Sequence, residues 1–212
     1  MYDPLRTDVI QTWLTNVAES CLPAAARTDH FLIVLADRQE LIHYSGGRIV
    51  GRYATSTAAR GLGEVVNSWQ TPRGWHRVDE RVGDGLPLGA LFTARQFNGV
   101  VLPKSAWQAE AGDGDKILTR IMRLRGLEPG KNLGGNVDTW CRMIYLHGTN
   151  HEPRLGSPAS HGCIRLGNQD IQALFQATAD GVSWCWIGTM SELESTNHHI
   201  ASLASVPSPE KG

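Results

Sequence analysis

Apolar and polar residues follow one another from residue 30 onward in a pattern that predicts a protein built mainly of β-strands. Residues 31–37 (FLIVLAD) form a short apolar run with the length and composition of a buried strand. Residues 39–56 contain two strand-like runs on either side of the turn Ser45-Gly46-Gly47, so we predict a β-hairpin there. The same reasoning predicts five further strands, at residues 75–83, 87–97, 117–127, 141–148 and 182–188.

Two segments have the spacing of apolar residues that is typical of amphipathic helices. Residues 5–20 form the first and residues 169–180 the second, with Asn168 as its expected N-cap and Gly181 after its end. The tail from about Met190 is polar and is expected to be loose. We therefore predict an N-terminal helix and connector at residues 1–28, a main domain at 29–190 and a C-terminal tail at 191–212.

Composition and charge argue against several classes of protein. With 41% hydrophobic and 19% charged residues, the chain is expected to fold rather than to remain disordered. The formal net charge is −1 and no basic run is present, which argues against a surface that binds nucleic-acid phosphates. No segment approaches the roughly 20 apolar residues that a membrane-spanning helix needs.

The N-terminal residues bear on the compartment in which the protein acts. The stretch MYDPLRTDVIQTW has neither the basic nor the apolar region of a secretory signal peptide. We therefore expect a cytoplasmic protein. The alternative is a periplasmic protein from which a leader has been removed.

The four cysteines are placed too far apart for the common paired motifs. Cys21, Cys141, Cys163 and Cys185 contain no C-x-x-C pair, so neither a thioredoxin-type pair nor a ribbon-type zinc site is indicated. Tryptophans flank Cys141 and Cys185, which favours reduced, buried thiols.

Residues 145–166 (YLHGTNHEPRLGSPASHGCIRL) carry the densest set of reactive side chains in the chain. His147 ends a predicted strand, and Cys163 follows Gly162 in the same stretch. A thiol becomes a useful nucleophile when a base takes its proton, and histidine suits that role near neutral pH. Glycine beside the nucleophile lets backbone N–H groups approach a substrate carbonyl, as an oxyanion hole requires. These residue types therefore match acyl transfer through a thioester.

Two other interpretations of this stretch stay open at this point. His147, His151, His161 and Cys163 are all possible metal ligands. However, Gly148 argues against a helix that would bring the first two histidines onto one face, and no H-E-x-x-H pattern is present. The alternative without catalysis is a buried cysteine with incidental histidines nearby.

Histidines and aspartates elsewhere in the chain are interpreted as structural. His43 and His76 lie within predicted strands and are expected to have no catalytic role. Asp113 and Asp115 lie in a loop that is expected to be exposed and could suggest calcium. The loop lacks the further oxygen ligands and the glutamate of an EF-hand, so we predict no calcium site.

The sequences HGT at 147–149 and SHGCIRL at 160–166 together resemble the signature of the L,D-transpeptidase family, also called the YkuD domain. That signature is a His-Gly pair, a gap, and then Ser/Thr-His-Gly-Cys-x-Arg/Asn. Residues 31–57 resemble the opening hairpin of the family, and residues 71–78 (TPRGWHRV) resemble its Thr-Pro-x-Gly segment. The resemblance covers roughly residues 30–188.

The resemblance implies a fold and a set of catalytic roles. The fold would be a mainly β sandwich of mixed sheets, with a helix after the catalytic cysteine, and the predicted N-terminal helix would be added to it. Cys163 would be the nucleophile and His147 the general base, with the carbonyl of Gly148 orienting its imidazole. Backbone N–H groups of His161, Gly162 and Cys163 would line the oxyanion hole. No metal or cofactor is implied.

The resemblance also implies substrate contacts, which leave one alternative open. Ser160 and Arg165 would bind substrate. Arg165 would either hold a substrate carboxylate, which its fork of donors suits, or fix the loop that carries the nucleophile. His151 matches no position of the signature and is expected to be incidental.

The implied donor is a peptidoglycan stem tetrapeptide, from which the terminal D-Ala leaves. Water as the acceptor gives a tripeptide, which is L,D-carboxypeptidase activity and belongs to muropeptide recycling. An amine as the acceptor gives 3→3 cross-links or exchange of D-amino acids, which is transpeptidase activity outside the membrane. We favour the carboxypeptidase because no leader is evident in the sequence, and the exported transpeptidase is the alternative.

Overall fold

The computed structural model describes residues 8–13, 30–109, 114–178 and 183–195. The chain folds as two compact units, a large one at Thr28–Gly188 and a small one made of Met1–Arg27 with Thr189–Gly212. The domain limits predicted from the sequence stay a prediction.

In the small unit, residues 8–13 and 190–195 are helical. The first segment lies within the predicted helix at 5–20, whose other residues are outside the described part of the chain. The second corrects the expectation of a loose tail from Met190. The side chains of Thr189 and Glu192 accept hydrogen bonds from each other's backbone N–H at 3.2 and 2.7 Å, a capping box that starts a helix. Residues beyond 195 lie outside the described residues.

The large unit consists mainly of strands. Their bounds are β1 His30–Leu35, β2 Glu40–Ser45, β3 Arg48–Ser56, β4 Gly74–Val82, β5 Ala90–Thr93, β6 Gln96–Val101, β7 Ile117–Gly126, β8 Tyr145–Thr149, β9 Ile164–Leu166 and β10 Ser183–Gly188. The helix α1 spans Asn168–Ala177. Short 3₁₀ helices lie at Lys104–Trp107, Gly135–Val137 and Glu152–Arg154.

The strands form one mixed sheet in the order β4-β10-β1-β2-β3-β9-β8-β7-β5-β6. Strand β4 also pairs with β7, so eight strands close into a ring and the β5–β6 hairpin branches off at β7. The pairs β1–β10 and β8–β9 are parallel, and the other pairs are antiparallel. The predicted mainly β fold, with mixed strand directions and a helix after Cys163, is confirmed.

An apolar core joins the sheet to α1. Ile171, Leu174 and Phe175 form the buried face of the helix and pack with apolar residues of the sheet such as Met122 and Leu146. Burying such side chains stabilises the fold by about 1.5–3 kcal/mol each. The core therefore holds α1 beside β7 and β8, and β8 carries His147.

Residues 87–97, predicted as one strand, form the hairpin β5–β6 instead. The turn consists of Ala94 and Arg95, whose φ angles are 49° and 67°. Turns of this kind usually contain Asn-Gly or Asp-Gly. Neither residue is of that type, so the turn carries no signal in the sequence.

The predicted strand at 141–148 is also shorter than expected. Residues 141–143 form a turn in which Met143 has a φ of 57°, and β8 begins only at Tyr145. Cys141 is therefore exposed rather than buried, whereas Cys185 is fully buried in the core as expected. Cys21 lies outside the described residues.

Candidate active site

Two neighbouring parallel strands bring His147 and Cys163 together. His147 on β8 is in register with Arg165 on β9, and Cys163 immediately precedes β9. Because side chains alternate between the two faces of a strand, the side chains at 145, 147, 163 and 165 share one face. Cys163 packs there against the apolar cluster of Ala90, Phe92, Ile121 and Tyr145. The fold thus places a thiol and an imidazole on the same face of adjacent strands.

The imidazole of His147 is held in one orientation by its neighbour. Nδ1 lies 2.7 Å from the backbone oxygen of Gly148, and the side chain is buried. A carbonyl oxygen only accepts hydrogen bonds, so Nδ1 carries the proton and Nε2 keeps its lone pair. Burial lowers the pKa of His147, and Asp115 acts in the opposite direction. His147 is therefore a neutral base with Nε2 available.

Only glycine fits at position 148. A Cβ there would lie 2.4 Å from Oδ1 of Asn168 and 2.7 Å from the backbone oxygen of Leu118. The close approach lets the buried side chain of Asn168 donate to the oxygen of Thr149 at 2.8 Å. The side-chain amide of Asn168 thus fixes the strand that carries His147.

Asn168 has a different role from the predicted N-cap. The helix begins at Asn168 itself, and Gly167 precedes it without a side-chain cap. Oδ1 of Asn168 accepts from Thr119 at 2.6 Å, and Nδ2 donates to Glu152 at 2.9 Å. Glu152 also accepts the backbone N–H of Asn168 at 2.8 Å. Sequence reasoning missed this network because a helix-start signal explained the asparagine without it.

The thiol of Cys163 is protonated near neutral pH. Its Sγ donates to the backbone oxygen of Met143 at 3.4 Å. Cys163 is half-buried, and the packing around its sulfur raises its pKa to about 12, with a hydrogen bond from the Tyr145 backbone opposing that shift. A thiol with this pKa needs a base to become a nucleophile, and His147 on the neighbouring strand is the predicted base.

The loop before the nucleophile is held by hydrogen bonds to its own backbone. Ser160 is buried, donates to the oxygen of Cys163 at 2.5 Å and accepts the N–H of Gly162 at 3.1 Å. Thr71, from the predicted Thr-Pro-x-Gly segment, donates to the oxygen of Gly162 at 2.9 Å. Gly162 has a φ of 135°, and a Cβ there would lie 3.1 Å from Ile144. This position therefore favours glycine.

These contacts change the expected oxyanion hole. The N–H of Gly162 is directed to Ser160, so it does not point to a substrate oxygen in this structure. The N–H groups of His161 and Cys163 remain as the predicted donors. A substrate contact for Ser160 stays a prediction, and its hydroxyl serves the loop here.

Arg165 is fixed by an acidic residue that lies far away in the sequence. Its Nη2 lies 2.5 Å from Oδ2 of Asp115, and the two side chains are 3% and 20% exposed. In this structure Arg165 thus bonds the segment that contains Asp115, and both roles considered for Arg165 stay predictions. Asn150 holds the same segment by accepting the N–H of Lys116 at 2.9 Å and donating to the oxygen of Gly114 at 3.0 Å.

Asp115 is a site residue that sequence reasoning missed. The sequence predicts an exposed loop around it, and the residues preceding that part of the loop, 110–113, lie outside the described chain. In the structure its charge raises the pKa of both Cys163 and His147. Only its acidic character could have suggested this, since nothing in the sequence links it to Arg165.

The other histidines have individual environments. His151 is buried, and its backbone N–H donates to Thr149 at 3.0 Å. The ring of His161 packs edge-on against Trp69, with 5.5 Å between centroids. His76 bonds Gly74 and Thr139, and burial lowers its pKa to about 3. Within the described ranges, no three His, Cys, Asp or Glu side chains lie together as metal ligands would.

A cleft of about 260 Å³ adjoins the nucleophile loop. Its lining consists of Val66, Asn67, Trp69, Cys141, Arg142, Ile144 and His161. Arg142 shapes one wall by donating to the backbone oxygens of Gly63, Glu64 and Gln70 at 3.0, 2.7 and 2.5 Å. Trp69 and Val66 expose apolar surface there. The cleft therefore offers an apolar surface beside the residues that flank Cys163.

Comparison with protein families identifies the domain. The model of the L,D-transpeptidase catalytic domain, YkuD, matches residues 28–187. The chain belongs to this family. A search of curated proteins found no match. In the part of this L,D-transpeptidase-family chain that the structure describes, we find no helix with the length and apolar character needed to span a bilayer.

Solved structures of L,D-transpeptidases resemble this family member at low identity. An L,D-transpeptidase from Mycobacterium smegmatis is 16% identical, with a TM-score of 0.46 over 76% of this chain and 59% of that one. One from Xylanimonas cellulosilytica is 18% identical, with a TM-score of 0.46 over 78% and 63%. L,D-transpeptidase 3 from Mycobacterium tuberculosis, in complex with a faropenem-derived adduct, is 15% identical, with a TM-score of 0.46 over 75% and 60%. The match therefore spans about three fifths of these structures.

Replacing Asp115 with asparagine is expected to lower both stability and the pKa of the base. The change leaves the buried guanidinium of Arg165 without its counter-charge, which should reduce the free energy of unfolding by about 3 kcal/mol. Because Asp115 raises the pKa of His147, its loss should shift the acid limb of kcat/KM to lower pH. Denaturant unfolding and a pH–rate profile measure the two effects.

A matched control separates this buried pair from an ordinary ion pair. Glu40 and Arg52 form an ion pair at 2.9 Å whose side chains are 26% and 32% exposed. Glu40→Gln should therefore change stability by less than about 1 kcal/mol and leave the pH profile in place. Equal effects of the two substitutions would show that Asp115 has no special influence on the site.

Proposed function

We propose that this domain is an L,D-carboxypeptidase that removes the terminal D-Ala from peptidoglycan stem tetrapeptides. The observation that carries the proposal is the pairing of a neutral imidazole with a protonated thiol on one face of β8 and β9. His147 has its Nδ1 proton on Gly148, which leaves Nε2 to accept the proton of Cys163. Membership in the L,D-transpeptidase family supports the class of substrate.

The reaction follows from these roles in two stages. As Nε2 of His147 takes the thiol proton, Sγ of Cys163 attacks the carbonyl carbon of the third stem residue. The C–N bond to D-Ala breaks, the imidazolium gives its proton to the departing amine, and a thioester remains. Water, deprotonated by the same imidazole, then attacks the thioester and releases the tripeptide and the thiol. The N–H groups of His161 and Cys163 are the donors that we expect to stabilise the oxyanion.

The acceptor of the acyl group decides which product forms, and we propose that it is water. Hydrolysis to a tripeptide is a step of muropeptide recycling, so we propose a cytoplasmic role together with it. The alternative is an exported transpeptidase that transfers the acyl group to an amine.

Product analysis by mass spectrometry tests the proposal. Purified protein is incubated with a disaccharide tetrapeptide, alone and with an added D-amino acid. We expect the tripeptide as the main product in both reactions, because water reaches the thioester in each. Exchanged tetrapeptide or cross-linked dimers would establish the transpeptidase instead, and failure to release D-Ala at all would refute acyl transfer by this site.

A further inference from the structure

A second arginine, at the tip of the β5–β6 hairpin, contacts two residues that Cys163 also contacts. Nη1 of Arg95 is 3.5 Å from Sδ of Met143 and 3.4 Å from the hydroxyl of Tyr145. Cys163 contacts the backbone oxygen of the same Met143, and it packs against the cluster that contains Tyr145. The guanidinium and the thiol therefore approach the same two residues.

The positive charge of Arg95 is only weakly matched by its surroundings. Its Nε is 3.6 Å from the carboxylate of Glu80, beyond hydrogen-bond distance, and its side chain is 29% exposed. The same carboxylate oxygen accepts a shorter bond, 3.1 Å, from Arg123. Arg123 is itself fixed over the ring of Trp140, at 3.4 Å from the centroid. Two guanidinium groups thus interact with one carboxylate, and the ion pair of Arg95 is the longer of the two.

Arg165, which the sequence analysis considered as the partner of a substrate carboxylate, already has an acidic partner. Arg165 is 3% exposed and bonds Asp115 at 2.5 Å, so a substrate carboxylate would have to displace a buried partner to reach it. Arg95 is more exposed, and its contacts with Glu80, Met143 and Tyr145 are long. Of these two arginines, Arg95 is therefore the one that can accept a new carboxylate without breaking a strong pair.

The backbone at the hairpin tip also sets Arg95 apart. Both turn residues, Ala94 and Arg95, have positive φ angles, which residues with a side chain adopt at an energetic cost. Asn-Gly would form the same turn with less strain. Turn propensity thus does not explain an arginine here, and strained backbone is frequent at functional sites.

We propose that Arg95 binds the terminal carboxylate of the residue that leaves when the thioester forms. This inference rests on the proposed function and names the group that the site recognises in its donor. By covalent geometry, the carboxylate carbon of that residue lies about 2.5 Å from the nitrogen of the bond that breaks. A site that acts on the last peptide bond therefore has this carboxylate close to the nucleophile, and Arg95 is the partner that distinguishes a free terminus from an amidated one.

Two donor peptides that differ only in their C-terminal group test the role of Arg95. Wild type, Arg95→Gln and Arg95→Lys are compared on a tetrapeptide that ends in D-Ala and on the same peptide that ends in D-alaninamide, with release of either leaving group as the readout. We expect wild type to prefer the acid. Arg95→Gln should lower kcat/KM on the acid by about 10- to 100-fold and change it on the amide by less than about threefold. Arg95→Lys should fall between, because it keeps the charge and loses the two-pronged contact.

Arg52→Gln is the matched control. Arg52 is 32% exposed, forms an ion pair with Glu40 and lies on β3. The substitution Arg52→Gln should leave kcat/KM unchanged on both donor peptides. Equal losses on acid and amide in Arg95→Gln would indicate a merely structural role and overturn the proposal, as would a preference for the acid that survives the substitution.

The readout separates this inference from the choice of acceptor. Hydrolysis and transpeptidation share the same leaving group, so exchange products in place of the tripeptide would refute the carboxypeptidase and leave the acid preference measurable. A wild-type enzyme that releases both leaving groups equally well would refute the role of Arg95 and leave the carboxypeptidase standing. Release of neither would refute both.

Discussion

Replacing Cys163 with alanine is expected to abolish release of D-Ala while the fold stays intact. The substitution removes only the sulfur that attacks the donor, and loss of a catalytic nucleophile lowers kcat by a factor on the order of 10⁶. Cys163 is half-buried, and its thiol makes a long hydrogen bond to Met143. The free energy of unfolding should therefore change by no more than about 1 kcal/mol.

Cys185→Ala is the matched control for this experiment, and its expected effects are the opposite of those of Cys163→Ala. Cys185 lies fully buried in the core beside α1 and takes no part in the site. Its replacement should reduce the free energy of unfolding by about 1–2 kcal/mol through the cavity it leaves, and turnover should persist. D-Ala release and denaturant unfolding are measured on both variants. Turnover that survives Cys163→Ala would refute the thioester mechanism.

Local sequence patterns predicted those parts of the fold that local interactions determine. The apolar run at 31–37 and the glycine turn at 45–47 became β1 and the β2–β3 hairpin, because burial and turn geometry act within a few residues. The β5–β6 hairpin was missed because Ala94 and Arg95 carry no turn signal and adopt positive φ within the folded protein. The β4–β7 pairing that closes the sheet could not be predicted either, since strand order depends on contacts across the whole domain.

The candidate site likewise contains residues that the local sequence predicts and residues that only the fold reveals. His147, Gly148 and Cys163 could be predicted from one stretch of sequence because all three lie within it. Asp115 and Arg95 were missed because only the tertiary fold brings Asp115 to Arg165 and Arg95 to Met143 and Tyr145. A short motif identifies the reacting groups, while charged residues that shift their pKa values come from distant segments.

Burial explains why the imidazole of His147 and the thiol of Cys163 are both neutral in the protein without substrate. Burial raises the pKa of Cys163 and lowers that of His147, so both changes disfavour the ion pair before substrate arrives. Asp115 adds to the first change and opposes the second. In the protein without substrate the proton therefore stays on sulfur, and the proposed mechanism has His147 remove it when the donor is bound.

Replacing His147 with alanine should remove both the activity and its dependence on acid pH. In wild type, turnover needs the neutral imidazole, and its lowered pKa places the acid limb of kcat/KM below the ordinary histidine value of 6.5. Activity should be lost only as the pH falls through the lower pKa. In His147→Ala, kcat/KM should fall by about 10⁴-fold or more, and the remainder should rise with pH as thiolate forms, since the pKa of Cys163 is about 12.

A profile of kcat/KM from about pH 4 to about pH 10 measures these differences. His43→Gln is the matched control, because His43 is also buried with a lowered pKa, about 4, but lies on β2. It should reduce stability and keep the wild-type acid limb. A wild-type limb centred at or above 6.5, or a limb that persists in His147→Ala, would mean that another group accepts the proton of Cys163.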